Sequence, residues 1–462
     1  MKVRTFIAAT LLGLLSLGHA SAKNLSINDL PSEEVRTLTQ QAYIFSYPLI
    51  MNYATMYKQA IDQHAPEYVG GFGHFRHYGF ATSENKDIVS PNNDTPYSWA
   101  WVDLRAEPWI LVMPPVDSER YYASQWDDMW GFVLDSPGSV LDGDKGGIYL
   151  IAPTNWQGTV PASVKRVIRS ESLFAGTLTR TGANGLDDLT QVKAIQAGYQ
   201  LMPLHRYLQQ PAPAFAPPVK WLPFVQGDEK TPEAFKYVNL MLAYTLPDAR
   251  DKTVLAAMAK LGIAAGKPWD TATLSAATRS AMQEGIHDAL ETMTAKMKNV
   301  RSSALFNTRE NLQTDYIDRM IGVYVGIFGN YASQATYFSW HKDTDGHQIN
   351  TANGKNYKLT FKRGETPPAD YFWSITIYTM PERFLVPNVL HRYSIGSRSP
   401  QLKTNMDGSI DIYISQQAPV KELESNWLPA PDGEPYIIMR VYGPGESVMN
   451  GGYEPPPIVR LK

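Results

Sequence analysis

The chain has 462 residues, is 44% hydrophobic and carries a formal net charge of −3 with no cysteine. That length can bury more than one core, so two or three domains are expected. The lack of cysteine excludes disulfide staples, thiolate catalysis and Cys-anchored lipidation, and the near-neutral balance without a basic run argues against nucleic acid and anionic membrane as partners.

Lys2 and Arg4 precede the apolar run Phe6 to Leu15, and Ala20-Ser21-Ala22 supplies small residues at a cleavage position. This is the pattern of a secretory signal peptide over residues 1–22, which directs the mature chain to the periplasm or outside the cell. The run falls short of the roughly 20 apolar residues that span a bilayer, and no later segment is apolar enough to do so. Loss of Lys2 and Arg4 takes the 42 basic residues to 40 against 45 acidic ones, a mature formal charge of −5.

Pro31-Ser32-Glu33-Glu34 reads as a helix start, with Ser32 as cap and the acids near the positive end of the helix dipole. Its continuation through Ala42, Phe45, Leu49 and Met56 is amphipathic and interrupted at Pro48, giving one kinked helix or two short ones. Gly70 to Gly79 is too rich in glycine for a helix and reads as a loop or an irregular strand. Ser90-Pro91-Asn92-Asn93-Asp94-Thr95-Pro96 is a turn whose side chains bond their own backbone, and the alternation that follows puts Tyr97, Trp99 and Trp101 on one side of a half-buried strand. Trp109 to Met113 suits a strand buried on both faces, and Arg120-Tyr121-Tyr122 opens another that ends in Trp126-Asp127-Asp128-Met129-Trp130.

Further strands are expected at 148–151, 164–168 and 177–180, short and separated by Gly and Pro, as in a sandwich or barrel. From Leu186 the texture turns helical, over 188–208, 232–246, 251–261, 273–298 and 315–338, with a Pro-rich linker from Pro211 to Pro223. Strand patterns return at 357–361, 371–378, 409–415 and 436–442, with a turn at Met406-Asp407-Gly408.

An internal echo organises these regions. Gly147 to Ile151 precedes Asn155-Trp156 and a strand ending Ile168-Arg169; Ile412 to Ile414 precedes Asn426-Trp427 and a strand ending Met439-Arg440. The repeated order implies duplication of one β unit, with Tyr121 to Trp130 and Tyr371 to Tyr378 as corresponding strands.

Ser90 to Thr95 with Arg120-Tyr121-Tyr122, preceded by Ala42 to Leu49, resembles the family known as domain of unknown function 1254. Phe372 to Tyr378, Arg392-Tyr393-Ser394-Ile395-Gly396, Asn426 to Pro431 and Arg440 to Pro444 resemble its partner, domain of unknown function 1214. The resemblance implies a mainly β fold with a substantial α insert: two jelly-roll-like β sandwiches plus helices, in subunits that assemble as trimers. It attaches no reaction to the chain. The organisation expected is therefore a leader at 1–22, a helix and first sandwich at 23–185, a helical insert at 186–340 and a second sandwich at 341–462. The chain departs from the family at Asn155, where a Gly-Pro-Gly type of turn is usual, and at the acidic Trp126-Asp127-Asp128.

No Gly-x-Ser-x-Gly elbow is present. His74 and His77, with His64, Glu84 and Asp87, have loose metal-ligand spacing in a loop that equally suits surface histidines. Asp343-Thr344-Asp345-Gly346 begins like a calcium loop, but the twelfth position is Gly354, so a turn held by Asp side chains is the competing reading. No cofactor or metal is implied. Asp127 and Asp128 are the candidate catalytic carboxylates: adjacent strand residues face opposite sides, and whichever one is buried among tryptophans would have the raised pKa of a general acid. The alternative is a strand end or a partner for Arg120. Trp99, Trp126 and Trp427 are candidate carbohydrate platforms, and Asn93 and Asp94 either line a site or cap the turn. Two functions follow: an exported envelope protein that assembles or binds a ligand through its β domains, or a periplasmic hydrolase or lyase acting on a small or glycan-like substrate.

Overall fold

The computed structural model describes residues 26–84 and 90–461; the leader and its cleavage position, and Asp87, lie outside the described residues. The leading helix runs unbroken from Ser32 to Met56, with Pro48 inside it, and continues as a π-helical turn over Tyr57–Ile61. Ser32 is its first residue rather than its cap; Pro31 precedes it and makes no side-chain bond to the helix. The first turns are amphipathic, but from Phe45 to Ile50 every residue is buried, because further helices enclose this half. Phe235–Leu242, Lys252–Lys260, Ala276–Met297 and Tyr316–Gly326 supply those neighbours and share one core with it. Among the described residues no helix is long and apolar enough to cross a membrane.

The β part is two sandwiches. The first uses β1 (Arg76–His77), β2 (Tyr97–Asp103), β3 (Trp109–Met113), β4 (Tyr122–Asp128), β5 (Val133–Asp135), β6 (Gly147–Pro153), β7 (Arg166–Ser170), β8 (Phe174–Thr181) and β9 (Gln200–Pro203). The second uses β10 (Ala335–Trp340), β11 (Tyr357–Phe361), β12 (Ala369–Tyr378), β13 (Ser394–Gly396), β14 (Ile410–Ser415), β15 (Trp427–Pro429), β16 (Tyr436–Pro444) and β17 (Ile458–Arg460).

Sheet orders are β1-β2-β8-β4-β5 with β7-β6-β3-β9 in the first sandwich, and β10-β16-β12-β13 with β15-β14-β11-β17 in the second. Apart from β1, each strand of the first sandwich has a counterpart eight strands later in the same place. The parallel pair β6 and β7 is matched by the parallel pair β14 and β15, while the other pairings are antiparallel. The expected correspondence of β6 with β14 and of β4 with β12 is therefore present in the topology. One part of the echo is corrected: Arg169 lies on the outer strand β7, and the counterpart of Arg440 on β16 is Arg180 on β8.

Three further expectations change. The helix expected over 188–208 ends at Ala197, and β9 follows Gly198 to pair with β3. The helix expected over 315–338 ends at Gly326; Phe328 takes a left-handed φ of 57°, and β10 then runs alongside β16. Finally, β2 is buried on both faces, since Trp99 and Trp101 pack toward the helices and Val102 into the core between the sheets.

Candidate functional site

The turn before β2 joins the two sandwiches. The Asn92 side-chain oxygen accepts from the backbone N–H of Asp94 at 2.7 Å and of Thr95 at 3.3 Å, so Asn92 holds the turn as its residue type predicts. The same side chain then reaches outward, its Nδ2 donating to the Tyr442 hydroxyl at 2.7 Å. Asp94 is buried at the seam: Ser374 on β12 and Tyr442 on β16 donate to its Oδ2, and Ser394 on β13 to its Oδ1. Tyr378 donates to the Pro91 carbonyl at 2.9 Å. Through these bonds a turn of the first half becomes part of the second.

Beside this seam lies a cavity of about 670 Å³ with walls from both halves, among them Asn93, Asp94, Ser374, Ser394 and Arg398. The Arg398 guanidinium sits 3.5 Å from the centroid of the Phe372 ring, which itself stacks on Tyr442 at 4.1 Å. Burial pushes Arg398 down to about 10, against the pull of Asp94. Its Nε–H has no hydrogen-bond partner, and the side-chain oxygen of Asn93 is likewise buried without one. Arg392, also on the wall, is by contrast engaged, donating to the carbonyls of Glu424 and Trp427.

Asp127 and Asp128 lie elsewhere. Neither lines the cavity, and both are buried, because β4 is covered on its two faces. Burial pushes Asp127 up to about 8, opposed by the Gln125 amide, which donates to its Oδ1. Burial and the nearby Glu171 push Asp128 up to about 7; its Oδ1 accepts the backbone N–H of Trp130 and Phe132. Arg120, the expected partner, is instead paired with Asp117 and Asp188.

Trp99, Trp126 and Trp427 are core residues. Trp126 is fully buried, Trp99 meets Phe328 edge-on at 5.0 Å, and Trp427 donates from its indole to the Ser415 carbonyl. A ring enclosed on both faces offers a sugar nothing to stack on.

His74 and His77 each direct Nδ1 to a protein oxygen, the Phe72 carbonyl and the Ser98 hydroxyl. Asp343 Oδ1 accepts the backbone N–H of Asp345 at 3.0 Å and of His347 at 2.9 Å, the turn held by an Asp side chain. Asp343, Asp345 and His347 do bring one ligand atom each within 4.8 Å of one another, on a loop whose Asp345 and His347 are exposed.

Of the polar groups of the cavity and the adjoining seam, Asn93 and Asp94 were singled out by sequence; Ser374, Ser394 and Arg398 on the cavity wall and Tyr442 at the seam were not. Ser374, Ser394 and Tyr442 lie inside the motifs that carry the family resemblance, and Arg398 stands two residues beyond one of them. That signal was available, but it spoke of kinship and not of place.

Residues 72–203 match the family described as protein of unknown function (DUF1254), and residues 334–446 the one described as protein of unknown function (DUF1214). No curated protein matches the sequence. Among solved structures, the VPA0106 protein from Vibrio parahaemolyticus is 26% identical with a TM-score of 0.75, over 93% of this chain and 100% of that one. An uncharacterized protein from Burkholderia cenocepacia is 13% identical with a TM-score of 0.40, over 93% and 94% of the two chains.

Proposed function

The chain belongs to the two-domain family that joins DUF1254 to DUF1214, and from that premise we propose that it is an exported envelope protein holding a small ligand between its two β sandwiches. The observation that carries this reading is the cavity of about 670 Å³ at the junction, within the roughly 300–1,000 Å³ usual for small-molecule sites. Its polar groups converge from segments nearly 300 residues apart, as the 280-residue separation of Asp94 and Ser374 illustrates. Export is supported by the charged start, the apolar run and Ala20-Ser21-Ala22. A binding role is favoured over the hydrolase or lyase because Asp94 is held by three hydroxyls, which fixes a carboxylate rather than freeing it to move a proton.

Self-association as a homotrimer belongs to the same proposal. Its support is the extended Pro-rich segment 211–223, where Phe215 is 97% exposed, an apolar side chain that a neighbouring copy can cover.

Native mass spectrometry of protein from a periplasmic extract tests the reading. A chain beginning at Lys23 is expected, carrying a bound small molecule that Asn184→Trp, placed on the cavity rim, displaces. A wild-type mass equal to that of the bare chain would sink the ligand reading, and an uncleaved chain the export reading. Light scattering at micromolar concentration is expected to give three times the chain mass.

A further inference from the structure

We propose that the cavity takes a hydroxylated carboxylate, a sugar-acid type of molecule, whose carboxylate meets Arg398 and whose hydroxyl meets Asn93; this rests on the ligand-binding reading above. Two polar groups of the cavity wall are left unmatched, the Arg398 Nε–H and the Asn93 side-chain oxygen. Among the described residues Arg398 makes no hydrogen bond and no ion pair, although it lines the cavity and its Nε–H is buried. An Nε–H held away from water with no acceptor carries an uncompensated desolvation cost, which the oxygen of an entering anion removes. The ring of Phe372 under it fixes its plane, so the fork of donors is oriented before any ligand arrives.

The cavity's own buried carboxylate does not fill this role. Asp94 acts on Arg398 through charge, yet its oxygens are taken by Ser374, Ser394 and Tyr442. Its presence also selects the ligand. One unengaged cation beside one fixed anion suits a single negative charge, and a planar carboxylate matches the two-pronged guanidinium. A phosphate dianion would bring a second charge against Asp94. Asn93 supplies the other half of the recognition: its buried, unpartnered oxygen requires a donor, which a carboxylate lacks and a hydroxyl on the same molecule provides.

Calorimetric titration of the full mature chain with galacturonate, galactose and inorganic phosphate tests the inference. Galacturonate is expected to bind, and galactose and phosphate to bind at least about tenfold more weakly. Arg398→Met, which keeps an apolar stem over Phe372, is expected to weaken galacturonate by roughly 10- to 100-fold, and Asn93→Ala by about 3- to 10-fold. Arg398→Lys retains the charge without the fork and serves if the Met variant misfolds; it too is expected to lose about tenfold. Equal binding of galactose and galacturonate, tighter binding of phosphate, no binding of galacturonate, or binding unchanged in both Arg398 variants overturns the inference. The small molecule retained in native mass spectrometry decides the ligand-binding reading separately: a retained neutral molecule leaves that reading standing while this one falls.

Discussion

Arg440 stands in the second sandwich where Arg180 stands in the first. Arg180 on β8 is opposite Tyr97 on one side and Ala123 on the other; Arg440 on β16 is opposite Tyr337 and Ser374. Both side chains are buried, and both act on the Tyr97 hydroxyl, which burial pushes up and the two cations pull down. The duplicated units therefore meet through equivalent sheets, and their equivalent arginines share one seam. Tyr121, Phe372 and Tyr442 close that seam with ring contacts.

Removing Arg440 is expected to cost more than losing its volume. Its guanidinium donates to Thr376 at 2.9 Å and to the Tyr378 hydroxyl at 2.7 Å, and Tyr378 in turn holds the Pro91 carbonyl. Arg440→Ala leaves those acceptors and Asp94 without the cation, so urea unfolding followed by tryptophan fluorescence is expected to lose roughly 3 kcal/mol or more. Arg440→Met fills the space and is expected to lose less. Equal losses in the two variants would count against the polar account.

Gly396 is expected to tolerate no side chain. A Cβ there would lie 2.1 Å from the Trp373 carbonyl oxygen and 2.7 Å from the Ser374 Cα, backbone atoms of a strand paired on both sides. Gly138 meets Tyr122 and Ala123 at the same two distances, so the constraint is duplicated with the fold. Gly396→Ala is expected to destabilise by about 1–3 kcal/mol or more, and Gly79→Ala, with nothing within 4 Å, by under about 0.5 kcal/mol. Thermal melts of the two variants make the comparison.

How much of this was legible depends on the reach of each signal. Trp109 to Met113 was readable as a strand because a short apolar run ends in two prolines, and the echo between β6 and β14 survived because both strands kept their Ile and Tyr residues. The β10 strand was hidden, since Ala335-Thr336-Tyr337-Phe338 continues the apolar spacing of the preceding helix and only the Gly-rich break separates them. Edge strands of three residues, β13, β15 and β17, are held by register with their neighbours and carry no periodicity of their own. The half of the site near Asn93 was visible as a turn; Ser394, 300 residues from Asp94, joins it only through the packing of one sandwich on the other. Tryptophans were ambiguous for a related reason, because residue type alone does not separate a sugar platform from a core ring.

Asp94 links the halves, and neutralising it is expected to loosen them. Asp94→Asn replaces one of two acceptors with a donor that faces hydroxyls already donating, and it leaves Arg398 and Arg440 without their buried counter-charge. The expected loss is about 1.5–3 kcal/mol, the range for a hydrogen bond to a charged group. Differential scanning calorimetry is expected to show one transition for the wild-type chain and two for the variant. A single transition at the wild-type temperature would remove Asp94 from this role.

Asp127 is expected to make the chain less stable as pH rises. Burial raises its carboxyl to about 8, Asp128 adds to the rise, and Gln125 and Arg180 oppose it. An unfolded Asp titrates near pH ~4, so between that value and about 8 the folded chain binds more protons at this site than the unfolded chain. Stability from the site is therefore complete below the unfolded value and is lost as pH rises through the folded one. Asp128, raised to about 7, acts in the same direction. Carboxylates held low, such as Asp142 beside Arg166 and Asp188 beside Arg120, act oppositely at acid pH, so the wild-type profile alone does not isolate Asp127. The difference between wild type and Asp127→Asn does, because Asn keeps an oxygen for the Gln125 amide and removes the titration. Melting temperatures measured from pH 5 to pH 8.5 are expected to converge at the acid end, and the variant is expected to exceed wild type by roughly 2 °C or more at the alkaline end. Parallel profiles for the two proteins would mean that Asp127 titrates alike in the folded and unfolded chains, and the burial argument for β4 would fail.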